Sequence, residues 1–132
     1  MILADTSAWI EYLRATGSAT DLSLGSLIAA DDGQLAVTEV VVMELLAGAS
    51  LDAEAARLGR LLGRFPLVPI EGLADFEAAA GLSRACRLRG EAVRSLIDSL
   101  VAAVAIRAEA AVLHRNRDFQ AIARAAPLRL AG

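Results

Sequence analysis

The 132 residues predict an α/β fold, a mostly parallel sheet of four or five strands flanked by helices on both faces. Three observations carry that expectation. Short apolar runs at Ile2 to Ala4, Leu35 to Val37 and Ala111 to Leu113 alternate with longer segments of helical periodicity. The runs are apolar throughout rather than at alternate positions, as in strands buried on both faces. No repeat, low-complexity tract or linker interrupts them, so residues 1–132 read as a single domain with one core.

Each element has a local reason. Ile2 to Ala4 reads as a first strand, ending at Asp5-Thr6-Ser7. A helix follows through Trp9, Ile10, Tyr12 and Leu13 and stops near Gly17, and a second covers about Leu22 to Ala30. Asp31-Asp32-Gly33 is a turn. Leu35 to Val37 is a second strand, and Thr38 suits the N-cap of the helix that carries Glu44 and closes at Gly48 as a C′ residue. Leu51 to Gly63 reads as an amphipathic helix with Leu58, Leu61 and Leu62 inward. Leu67 to Ile70 reads as a third strand, with Pro69 marking an edge or an end. A long helix spans about Leu73 to Leu88, and Ser95 opens the helix containing Asp98. Ala111 to Leu113, Phe119 to Ala125 and Leu128 to Leu130 complete the pattern as strand, helix and strand.

Composition narrows the function. Apolar residues make up 56% of the chain and aromatics 4%, with alanine supplying much of the rest, as in closely packed helices. No apolar run approaches the roughly 18 residues of a membrane span, and the N-terminus lacks the basic region of a signal peptide. Cys86 is the only cysteine, which excludes a disulfide framework and a thiolate metal site and fits a reducing, cytoplasmic setting. The net charge of −3 argues against nucleic acid, but its distribution does not. Residues 1–56 hold nine acids against one arginine, and residues 57–132 hold twelve arginines against seven acids. A folded domain of this kind can carry an acidic pocket beside a basic rim, or merely helix faces of different charge. Every basic side chain is arginine, suited to bidentate phosphate contacts.

Four carboxylates stand in apolar surroundings. Asp5 ends the first strand, Glu44 sits within Val40 to Leu46, Asp98 within Leu96 to Val101, and Asp118 follows Val112 to Arg117. Taken singly, Asp5 can cap the first helix, Ser95-x-x-Asp98 can be a capping box, and Asp118 can cap the last helix. Glu44 resists such a reading, because its helical neighbours are Val40, Val41, Ala47 and Gly48. In a parallel α/β sheet, ligands bind beyond the carboxyl ends of the strands, where all four acids converge. Two carboxylates about 4 Å apart repel by roughly 4 kcal/mol at an effective dielectric near 20. A shared cation relieves that repulsion, and oxygen-only ligands select Mg²⁺ or Mn²⁺. Such an ion activates water and neutralises charge developing on phosphorus, the chemistry of phosphodiester cleavage.

Other chemistries lack their residues. There is no G-x-x-x-x-G-K-[ST] loop, no G-x-G-x-x-G fingerprint and no G-x-S-x-G elbow. A receiver domain phosphorylated on aspartate needs a lysine, and the chain has none. A haloacid-dehalogenase-type phosphatase needs a second acid where Ser7 stands. His114 reads as a polar residue ending a strand, and Cys86 as structural.

Four segments together resemble a known family. Asp5-Thr6-Ser7 follows the first strand, and Glu44-Leu45-Leu46-x-Gly48 lies on an early helix. Arg94-Ser95-Leu96-x-Asp98 opens a late helix, and His114-Arg115-x-x-Asp118-Phe119 lies near the end. In that order and spacing they look like the PIN domain, and within it like VapC-type toxins of bacterial toxin–antitoxin pairs, over Ile2 to Leu130. The resemblance implies an endoribonuclease dependent on Mg²⁺ or Mn²⁺ that leaves a 5′-phosphate and a 3′-hydroxyl. Asp5, Glu44 and Asp98 match the family's three core acidic positions, and Asp118 completes the site or holds a second ion. Some relatives carry two acids in the last segment, where this chain has Asn116 and Asp118. Thr6 or Ser7 matches a hydroxyl that supports the metal's shell. Arg94, Arg115 and Arg117 flank the acids as candidate phosphate contacts. The resemblance further implies a VapB-type antitoxin that covers the site and a toxin homodimer. Trp9, Ile10, Tyr12, Leu13 and the 51–63 helix are more apolar than one stripe requires, which suits either a partner surface or the core. A PIN module that binds RNA or protein without cleaving is the alternative.

Overall fold

The computed structural model describes residues 1–131. Four parallel strands form one sheet in the order β2-β1-β3-β4, with β1 at Ile2–Ala4, β2 at Leu35–Ala36, β3 at Ala111–Leu113 and β4 at Arg129–Leu130. Leu3 sits between Ala36 and Val112 in register, and Ala4 pairs Leu113. These side chains are buried, which explains the absence of polar alternation.

Seven helices connect and cover the strands. They are α1 (Thr6–Leu13), α2 (Ala19–Ala30), α3 (Glu39–Ala47), α4 (Asp52–Leu62), α5 (Gly72–Leu88), α6 (Leu96–Arg107) and α7 (Arg117–Ala125). Helix α1 packs on α2, α3 on α4, and α5 on both α6 and α7. Helix α6 is the most enclosed, buried continuously from Asp98 to Ala105. Its alanines at 102, 103 and 105 let neighbouring backbones approach closely. Trp9, Leu24, Val41, Val101, Val104, Phe119 and Ile122 fill the core around the strands. Full burial of a large apolar side chain contributes about 1.5–3 kcal/mol. No helix among the described residues is long and apolar enough to cross a membrane.

Several local expectations are corrected. Leu67 to Ile70 is not a strand: only Leu67 bridges, in parallel, to Val37. Pro66 O and Val68 N–H pair with Val37, and beyond them the backbone groups turn to side chains. Pro69 has no N–H, its carbonyl accepts from Arg107 Nη2 at 2.6 Å, and Ile70 N–H donates to Glu39 Oε1 at 2.9 Å. The sheet is therefore four-stranded with a single bridge at its β2 edge. Helix α2 starts at Ala19, before Leu22, because the Ser18 hydroxyl caps it by accepting from Asp21 N–H at 3.1 Å. Thr38 occupies the N-cap of α3, but its hydroxyl donates to Glu39 and makes no capping bond. Gly48 is the C-cap rather than C′, in right-handed conformation with φ −79°. Trp9 is wholly buried against Tyr12 and Phe65, so it belongs to the core and not to a partner surface. Leu13 and Leu51, by contrast, are exposed.

Candidate active site

Asp5 is the hinge between β1 and α1. Its N–H continues the ladder to Leu113 O at 2.9 Å, which aims the side chain beyond the carboxyl ends of the strands. Its Oδ2 caps α1, accepting from Ser7 N–H at 3.0 Å and Ser7 Oγ–H at 2.7 Å. The capping reading is thus correct and accounts for one oxygen. The other, Oδ1, is buried without a hydrogen-bond partner. A buried carboxylate oxygen left unpaired costs several kcal/mol unless a cation or proton faces it.

The two hydroxyls after Asp5 tie neighbouring segments to it. Thr6 Oγ–H donates to Glu44 Oε1 at 2.7 Å, holding the α3 carboxylate against the start of α1. Ser7 Oγ accepts from Arg115 N–H at 2.9 Å, holding the segment after β3. Glu44 is half-buried, as its apolar helical neighbours require.

Asp98 enters from the first turn of α6 and is 8% exposed. Its helix is capped by Ser95, whose Oγ accepts from Ile97 N–H at 3.2 Å, but Ser95 N–H donates to Asp118 rather than to Asp98, so Asp98 is not the second half of a capping box. Asn116 Nδ2 instead donates to Asp98 Oδ2 at 2.8 Å. Burial above all, then the adjacent Asp118 carboxyl and the charge on Asp5, push the Asp98 pKa up to about 8, against the opposing pull of the Asn116 amide. Asp118 is 2% exposed on the first turn of α7, and its Oδ2 accepts from the N–H groups of Arg94 at 2.9 Å and Ser95 at 3.2 Å. It is not the cap of α7; Asn116 is, accepting from Asp118 N–H at 3.0 Å.

An open cavity of about 620 Å³ lies at this edge. Asp5, Thr6, Ser7, Glu44, Arg94, Asp98, Arg115, Asn116, Arg117 and Asp118 all line it, with Ile10 and Ser95. The four acids and their flanking arginines, remote in sequence, therefore share one pocket. Arg115 pairs with Glu11 at 2.9 Å. Arg94 and Arg117 are exposed on the rim and make no ion pair among the described residues.

Among the described residues, no three His, Cys, Asp or Glu side chains stand close enough together to hold a metal ion as they are placed. A hard ion bound by carboxylates keeps several of its waters, so such ligands need not all touch it directly. The buried, unpaired Asp5 Oδ1 is the atom a divalent cation would satisfy, and an oxygen-only donor set fits a hard ion.

His114 stays outside the acid set. Its Nδ1 accepts from Asn116 N–H at 3.1 Å, its ring rests on Phe119, burial lowers its pKa against the pull of Asp5, and it does not line the cavity. Cys86 is buried, its thiol pKa raised by burial. Sequence reasoning missed Ile10 as a lining residue, although its place four residues after Thr6 on α1 puts both on one helix face. It also missed the buried Asp75, which lies away from the cavity and is held bidentately by Arg107 at 3.0 and 2.9 Å.

Comparison with known proteins agrees with this geometry. The PIN domain family model matches residues 2–125. The chain is 45% identical over 131 residues to the VapC ribonuclease Mb1587 of Mycobacterium bovis, covering 99% of this chain and 98% of that protein. It is equally similar to Ribonuclease VapC11 of Mycobacterium tuberculosis. Among solved structures, VapBC2 from Rickettsia felis bound to a DNA fragment from their promoter superposes with a TM-score of 0.75. That likeness, at 18% identity over 99% and 98% of the two chains, is one of fold. Sheet order, acid-lined cavity and whole-length similarity agree: the chain belongs to the PIN-domain family and, within it, to the VapC ribonucleases.

Proposed function

We propose that this protein is a metal-dependent endoribonuclease, the toxin of a toxin–antitoxin pair, silenced by a VapB-type antitoxin. The observation that carries the reading is the buried, unpaired Asp5 Oδ1 in the same cavity as Glu44 and Asp98. Asp5, Glu44 and Asp98 would hold the ion, Mg²⁺ or Mn²⁺. When bound, the ion supplies a Lewis acid at the scissile phosphate and lowers the pKa of the attacking water. The chain's own residues prepare the site. Thr6 orients Glu44, Ser7 orients Asp5, and the Asn116 amide orients Asp98. Arg94 and Arg117, on the rim, would grip the phosphates that flank the bond. Hydrolysis leaves a 5′-phosphate and a 3′-hydroxyl.

The relatives' names support RNA as substrate, and the solved toxin–antitoxin complexes support an antitoxin as partner. The test is cleavage of total bacterial RNA by the purified chain with Mg²⁺ or Mn²⁺, with chelator, and with Asp98→Asn. Discrete fragments should form with the ion and vanish in both controls. Asp98→Asn is preferred to Asp5→Ala, which also removes a helix cap worth about 1 kcal/mol. Intact RNA in every lane, from antitoxin-free protein, would point to a PIN module that binds without cleaving.

A further inference from the structure

The helices α6 and α7 hold each other by their first turns, and the hold runs in both directions. The cap of α7, Asn116, donates its amide to Asp98 on α6 at 2.8 Å. The first turn of α7 returns the contact, because Asp118 Oδ2 accepts both N–H groups that lead into α6, those of Arg94 and Ser95. No backbone carbonyl among the described residues competes for these two donors. Ser95 then caps Ile97 N–H, and Asp98 follows within the same turn. Outside the cavity, Arg124 of α7 pairs with Glu91, tying the same connecting segment to the same helix.

Asp5 likewise gives one oxygen to two donors but leaves the other buried and unpaired, whereas Asp118 gives one oxygen to the two amides before α6 and lies against the Asp98 carboxyl itself. A carboxylate accepting paired N–H groups is a structural anchor as well as a charge. We infer that Asp118 is a positioning residue, which with Asn116 clasps the start of α6 and sets where Asp98 stands, rather than a fourth ligand of the ion. The inference rests on the metal-site reading of Asp5, Glu44 and Asp98. It makes the last sequence segment a holder of the third acid, and it gives Asn116 a role that a carboxylate at that position could not fill, since only the amide donates to Asp98.

The decisive comparison is Asp118→Asn against Asp118→Ala, with Asp98→Asn as the reference for a lost ligand. Both Asp118 variants lose the charge, but Asn keeps an oxygen to accept from Arg94 and Ser95. Two quantities are read: free Mn²⁺ by electron paramagnetic resonance, and amide exchange of Arg94 and Ser95 by NMR in chelator. Removal of a supporting partner lowers metal affinity about 10–100-fold, and Asp118→Ala should fall in that range. Its two amides should exchange at least about tenfold faster. Asp118→Asn should keep both amides protected and recover most of the affinity, while Asp98→Asn should not. Asn and Ala variants that lose affinity alike, with the amides still protected, would overturn the inference in favour of a ligand. Amides that stay protected in Asp118→Ala would overturn it as well. If wild type and Asp98→Asn bind Mn²⁺ equally, the metal-site reading fails, and the exchange arm still decides whether Asp118 anchors α6. Should Asp118→Ala unfold, Asp118→Asn and Asn116→Asp carry the same comparison, the latter keeping the α7 cap while removing the amide that donates to Asp98.

Discussion

At the scale of single residues, Asp98 dominates the expected pH behaviour. Its carboxyl, pushed up to about 8, keeps a proton in the cation-free fold. The unfolded chain releases that proton near pH 4. Between those values the folded state binds more protons than the unfolded one, so stability falls as pH rises. In chelator, the melting temperature should therefore drop from about pH 5 to about pH 8, and Asp98→Asn should flatten the slope. A melting temperature that climbs over this range would contradict the assignment. Divalent cation needs the ionised form, so binding at neutral pH should release about one proton, seen by calorimetry in buffers of different ionisation enthalpy. Asn116→Asp offers a complementary test. Aspartate caps α7 as well as asparagine does, so the cap is kept while the amide donor is exchanged for a carboxylate. It places a third carboxyl beside Asp98 and should destabilise the cation-free fold by about 1–3 kcal/mol in urea titration.

Between elements, the most buried ion pair among the described residues lies away from the cavity. Arg107, at the end of α6, grips Asp75 on α5 bidentately, reaches the Pro69 carbonyl and lies 3.2 Å from Glu71. Asp75 also accepts from Glu71 N–H at 2.7 Å. Because Asp75 is buried while the arginine is partly exposed, Arg107→Met should cost about 2–3 kcal/mol, measured by chemical unfolding. This contact also marks where the sequence stops being legible. Asp75 and Arg107 are 32 positions apart on separate helices, and nothing local connects them. The strands at Ile2–Ala4 and Ala111–Leu113 were legible because burial on both faces leaves no polar residue in them. Residues 67–70 looked equally apolar, but the prolines and the pull of Arg107 and Glu39 divert the backbone from pairing. The four acids stood out against apolar neighbours. Whether Asp118 capped, ligated or anchored did not, since that depends on the Arg94 and Ser95 amides, more than twenty residues away.

For the whole molecule, the arginine-rich second half matters most where it meets the cavity. Arg94 and Arg117 sit on the rim without acidic partners, so RNA phosphates can replace counterions there. Each phosphate contact to a single strand changes the slope of log affinity against log salt by about 0.7. Replacing both by alanine should shallow the slope by about 1.4 without altering the metal-free melting temperature. Arg115 is a weaker candidate, since Glu11 already engages its guanidinium. A slope unchanged in the double variant would move the RNA path elsewhere.

The lateral borders of the sheet carry a consequence for how partners approach. Beyond β2 the described residues offer only the Val37–Leu67 bridge, followed after Val68 by a proline whose carbonyl is already occupied. Beyond β3 the border is β4, two exposed residues long and bearing Arg129. Neither side presents a length of unpaired backbone on which another chain could lay itself down as an added strand. The fold is thereby guarded against edge-to-edge aggregation. An inhibitor must close the cavity from above with side chains or a helix, and inhibition should leave the strand count at four.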